Sequence, residues 1–140
     1  MTSCIKEERA LSELVYVNHS TKKIELKIYR DAIIVDSFFI SPNSQNIKES
    51  HYARGKYEKA TIFYEFLRNS DSTTIIFNDS FKITHLYDSI TINSKRIGYF
   101  SNRSIYGNNY VESIFEEKKH FIHHKVTFTF TEQDYLDAKQ

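Results

Sequence analysis

The sequence predicts an all-β fold, mainly an antiparallel β-sandwich of about seven short strands with a short C-terminal helix. Three observations lead there. Phe (11), Tyr (10) and Ile (17) supply most of the apolar bulk, while Met occurs once. Branched and aromatic side chains suit a pleated, half-buried surface and lose rotamer freedom in a helix. Several segments alternate apolar and polar side chains at period two, as a strand with one wet face requires. Between them stand clusters of Asn, Asp and Ser, which turn a chain readily. At 140 residues the chain has the length of one domain, and its aromatic rings can fill a core without disulfide or metal.

The elements follow in order. Residues 1–11, MTSCIKEERAL, are short and charged and read as a flexible tether, leaving 12–140 as the sandwich. In 13–18, Leu14 and Tyr16 alternate with Val15 and Val17. In 23–29, Ile24, Leu26 and Ile28 face one way, with Lys23, Glu25 and Lys27 opposite. The polar stretch 18–21 between them predicts a hairpin. Residues 33–41 are more continuously apolar than the segments before them and read as a more buried strand, which Pro42 ends because proline cannot donate to a ladder. Residues 42–56 are expected to be a long surface loop.

Residues 57–67 fit both periods and are read as a strand with an irregular start. Residues 73–77 and 81–86 form a hairpin through Asn78-Asp79-Ser80, and Ile90 and Ile92 mark another short strand. Residues 94–109 are a second polar loop. In 121–130, Val126, Phe128 and Phe130 face inward between Thr127 and Thr129. Thr131 then caps a helix with acidic residues in its first turn, anchored by Tyr135 and Leu136.

The 19 basic and 18 acidic residues leave a formal charge of +1. That provides no strong field for nucleic acid or an anionic surface. The only cysteine, Cys4, cannot form an internal disulfide or build a thiolate metal site. No run of apolar residues is long enough to span a bilayer as a helix. The motifs for dinucleotide, phosphate or zinc-protease chemistry do not occur.

One cluster could hold a metal or do acid–base work: His120, His123 and His124. On a strand His120 and His124 share a face, with His123 opposite. Glu7-Glu8 and Glu116-Glu117 are adjacent pairs that point to opposite faces, so neither is a poised dyad. Lys95, Arg96 and Arg103 interleave with aromatics, but nucleic acid is not expected as a partner.

Cys4 follows the small residues Thr2 and Ser3 and precedes the polar run Lys6-Glu7-Glu8-Arg9. With this tether come Val17-Asn18-His19-Ser20, Ile40-Ser41-Pro42-Asn43-Ser44, Asp71-Ser72, Ile75-Ile76-Phe77-Asn78-Asp79, Asn109-Tyr110 and the block from Phe128 to Ala138. Together these segments resemble a family of small Bacteroidetes-type envelope lipoproteins of uncharacterised function. The resemblance implies a β domain held at the membrane by a lipid on Cys4. It implies no catalytic residues.

The leading expectation is therefore a non-enzymatic envelope domain, without cofactor, that binds a protein or glycan through loops. Tyr99, Tyr106 and Tyr110 are the expected contact residues, because a tyrosine offers apolar area and a hydroxyl together. Membrane contact is expected only through Cys4. A second reading is a hydrolase or metal-dependent enzyme using His120, His123 or His124. A third is a cytoplasmic interaction module, which holds if no apolar segment precedes Met1 in the reading frame.

Overall fold

The computed structural model describes residues 8–54, 61–93 and 95–140. Nine strands are found among them, β1 (Arg9–Asn18), β2 (Ile24–Arg30), β3 (Ile33–Ile40), β4 (Ser44–Arg54), β5 (Ser72–Phe77), β6 (Phe81–Leu86), β7 (Arg96–Ile97), β8 (Val111–Lys118) and β9 (Phe121–Phe130). Two short helices, α1 (Glu65–Arg68) and α2 (Glu132–Lys139), accompany them. One sheet has the order β4-β1-β9-β8 and the other β3-β2-β5-β6-β7. The two enclose a shared interior, so the all-β sandwich with its C-terminal helix is the fold.

Both sheets are mixed, whereas the sequence reading expects antiparallel pairs throughout. β1 lies parallel to β9, and β6 lies parallel to β7. More than a hundred residues separate β1 from β9, so no turn dictates their direction. The rows Leu14–Tyr16 and Val126–Phe128 meet on one face in either sense, and alternation cannot report which.

The alternation does place the core. Leu14, Tyr16, Ile24, Leu26, Ile28, Ile75, Phe77, Ile83, Phe128 and Phe130 are all sealed from solvent. Each such side chain contributes about 1.5–3 kcal/mol by leaving water. Tyr16 is the hub of this interior, with Phe38, Phe66, Tyr110, Phe128 and Phe130 ring centres between 5.5 and 6.4 Å away. The β5–β6 hairpin through Asn78-Asp79-Ser80 is present, with both Asn78 and Asp79 at positive φ.

Several expectations are corrected. β1 begins at Arg9, inside the expected tether; residues 1–7, Cys4 included, lie outside the described residues. The turn at 18–21 joins no hairpin, since β1 and β2 belong to different sheets. It is a corner, pinned by buried Asn18, whose amide donates to the Lys22, Ile40 and Ser41 carbonyls while its Oδ1 accepts from Ser20. The 42–56 loop is largely β4, an edge strand paired with β1. Its half-buried positions are mostly polar (Asn46, Lys48, Glu49 and His51) while Ile47 and Tyr52 are exposed, and that disguised it.

β3, expected to be a more buried strand, is also an edge, and Ile33, Ile34, Val35 and Phe39 are exposed. The strand expected over 57–67 is absent from its described part. There Tyr64 turns left-handed, the Glu49 carboxylate accepts the Phe63 and Tyr64 amides, and α1 follows. Residues 55–60 lie outside the described set. Ile90 and Ile92 form no strand, and β8 was not anticipated.

The C-terminal helix forms as read. Thr131 accepts the Asp134 amide and Asp134 accepts the Thr131 amide, a reciprocal cap. Tyr135 packs on Phe77 and Phe81, whereas Leu136, also expected as an anchor, is exposed.

Candidate functional site

The segment after β7 is polar in sequence, yet it is tightly built. Ile105 plugs the end of the sandwich, fully buried. Its amide donates to His85 Nδ1 at 3.0 Å, and its carbonyl accepts the Tyr110 hydroxyl at 2.6 Å. The Asn109 amide ties the Ser101 and Ser104 carbonyls together at 2.8 and 2.9 Å. Arg103 crosses from the loop to α2, bonding the Asp134 carboxylate through two of its nitrogens and the Thr129 carbonyl at 3.0 Å. A polar sequence here encodes loop-closing hydrogen bonds rather than a solvated linker.

This construction brings Tyr99, Tyr106 and Tyr110 to one cleft of about 540 Å³, bordered also by Tyr64, Arg68 and Asn108. The three tyrosines are not equivalent. The Tyr106 hydroxyl is engaged with Ser70 and Thr73 at 2.8 and 2.9 Å. The Tyr110 hydroxyl bonds that of Tyr16 at 2.6 Å and the Ile105 carbonyl. Both rings pack on the core, so they lend the cleft their carbon edges and faces rather than their polar ends. Tyr99 is 36% exposed and rests edge-on against Tyr87 and Phe100.

Burial pushes the Tyr106 and Tyr110 phenols above their ordinary value. It does the same to Tyr64, where the Glu112 and Glu49 carboxylates add to the effect. The phenols are therefore neutral across the physiological range. The cleft offers aromatic surface, one guanidinium from Arg68 and one side-chain amide from Asn108.

A second hollow of about 280 Å³ adjoins the first, sharing Tyr64, Asn108 and Tyr110 and reaching Ser12, Thr61 and Glu112. Ser12 Oγ is buried there without a hydrogen-bond partner among the described residues. A third hollow, about 420 Å³, lies beside β3 and β4, where Lys48 bonds Asp36 at 2.7 Å.

The histidines are dispersed. His120 sits in the β8–β9 turn and borders a hollow of about 140 Å³ with Glu8 and Glu117; its Nδ1 is buried without a partner among the described residues. His123 bonds Glu13 and stacks edge-on with Phe115. His124 stands between Ser12 and Ile114 in the sheet, on the face opposite His123. Among the described residues no group of three His, Cys, Asp or Glu side chains is placed to share a metal ion.

Tyr64, Arg68 and Asn108 were missed by sequence reasoning. Tyr64 and Arg68 stand at the two ends of α1, more than thirty residues before Tyr99, and no local pattern links α1 to the segment after β7. Comparison with protein-family models, curated proteins and solved structures finds no match to this chain.

Proposed function

We propose that this is a non-enzymatic binding domain of the cell envelope, tethered through Cys4, that takes a glycan in the tyrosine cleft. One observation carries the reading: four tyrosine rings converge on a single cleft while the hydroxyls of Tyr106 and Tyr110 are already satisfied inside the protein. Rings so held present C–H-compatible aromatic surface at little entropic cost. A sugar ring has an apolar C–H face to lay on them and hydroxyls to meet Arg68 and Asn108. Concave sites of this kind combine apolar lining with a few placed polar groups. A protein loop is the competing occupant.

The test is calorimetric titration with a panel of soluble oligosaccharides, wild type against Tyr99→Ala and Asn108→Ala. At least one saccharide is expected to bind, and each substitution to weaken it on the order of tenfold. Absence of binding across the panel would refute the glycan reading. Tethering is tested by palmitate labelling in bacterial cells making the protein from its native reading frame. Label lost in Cys4→Ser supports the envelope assignment, and an unlabelled wild type supports the cytoplasmic alternative.

A further inference from the structure

The connection between β6 and β7, together with the residues just after β7, carries apolar side chains that the fold does not use. Phe100, Ile90 and Ile92 are 91%, 79% and 61% exposed. Tyr87, Ile90, Tyr99 and Phe100 border one shallow hollow of about 400 Å³, so these groups form one patch rather than scattered singles. Contiguous exposed apolar surface of this sort marks a contact.

The patch is also held in shape. A methyl group at Gly98 would stand 2.1 Å from the Ser89 carbonyl oxygen and 2.6 Å from the Thr91 nitrogen, so the two arms touch backbone to backbone. The Tyr99 amide donates to Ser89 at 3.1 Å, the Ile92 amide to Arg96 at 3.0 Å, and the Gly98 amide to the Thr91 hydroxyl at 3.1 Å. Both arms form a tongue that projects its apolar residues without collapsing onto the sandwich.

Cations accompany it. The sheet register sets Lys27, Thr74, Thr84 and Arg96 in one row, and Glu25, Ile76 and Lys82 in a second row on the same outward face. Lys95 is exposed beside Arg96, and Arg96 lies across the tight turn from Ile92. On these rows and the tongue, Lys27, Lys82, Lys95 and Arg96 outnumber Glu25 and Asp88.

We propose that the tongue is a membrane contact, with Ile90, Ile92 and Phe100 entering the boundary between headgroups and acyl chains while Lys82, Lys95 and Arg96 meet anionic headgroups. Apolar side chains at a tip with cations behind them match the layering of a lipid surface, apolar beneath and negative at the rim. A single acyl chain holds a protein only marginally, and a second apolar and basic contact makes attachment stable. The proposal depends neither on what the cleft binds nor on acylation of Cys4. It places the Tyr99 end of the cleft next to the bilayer.

The experiment is co-sedimentation of the unacylated 140-residue chain carrying Cys4→Ser with vesicles of phosphatidylglycerol or of phosphatidylcholine. Binding to phosphatidylglycerol, weakened by added salt, is expected, with much less on phosphatidylcholine. The double variant Ile90→Asp/Phe100→Asp is expected to lower that binding on the order of tenfold or more, and Lys82→Glu/Arg96→Glu to lower it on phosphatidylglycerol alone. Unchanged thermal melting shows that each variant folds, and Phe100→Ser serves if the double variant does not. Ile90 does not border the tyrosine cleft, so saccharide binding by Ile90→Asp alone is expected to be unaltered, whereas Phe100 packs on Tyr99. The proposal is overturned by absence of binding to phosphatidylglycerol, by wild-type binding of the tongue variants, or by a dimer in sedimentation equilibrium that the tongue variants dissociate.

Discussion

His85 sits fully inside the protein, its Nδ1 accepting the Ile105 amide, and burial together with the Arg103 charge pushes its pKa from 6.5 down to about 3. The folded protein therefore holds this imidazole neutral while the unfolded chain binds a proton below 6.5. Stability from this group is full above the ordinary imidazole value and is lost as pH falls from 6.5 toward 3. The slope is at most about 1.4 kcal/mol per pH unit. Urea unfolding across that range is expected to show the decline, and His85→Gln, which keeps an acceptor, to flatten it. A second residue-scale case is Ala32, at φ 64 beside Asp31 at φ 51 in the β2–β3 turn. A Cβ in that region is strained, so Ala32→Gly is expected to stabilise by about 1 kcal/mol, and an unchanged or lower melting temperature would contradict this. Neither effect was legible beforehand. A lone histidine in a sequence carries no sign of its burial, and Asp-Ala is not a recognisable turn pair.

At the scale of elements, α2 owes its position to two devices that meet at Asp134, the reciprocal cap with Thr131 and the clamp from Arg103. Thr131→Ala removes one capping bond and is expected to cost about 1 kcal/mol. Arg103→Ala leaves the buried Asp134 carboxylate without its counter-ion and frees the loop before the cleft, for an expected cost of about 2 kcal/mol. Thermal or urea melts distinguish the two, and equal costs would mean that the clamp adds nothing beyond the cap. The cap was readable in sequence, since a hydroxyl before an acidic first turn has few other structural meanings. The clamp was not, because 31 residues separate its partners. Strands with one wet face, such as β2 and β9, announced themselves by alternation. The edge strands β4 and β8 did not, because β4 turns mostly polar side chains to its half-buried face and β8 is exposed along nearly its whole length.

Across the whole molecule, composition and alternation conveyed that aromatic interiors would be shared between two sheets, and the tyrosine cleft was half visible as three rings in one polar segment. Its other wall, Tyr64 and Arg68 from α1, became part of the site only through folding. Strand order was equally hidden, and it has a consequence for biogenesis. β1 is flanked on one side by β4 and on the other by β9, the latest strand in chain order among the described residues. A ribosome that has not yet passed Phe130 has synthesised a first sheet with a vacant seam along β1, and loop closure across that span is slow. Chains halted or clipped before that point would offer a bare, branched-residue strand to one another and are expected to aggregate rather than fold partway. A nascent molecule of this design needs shelter until Phe130 has emerged.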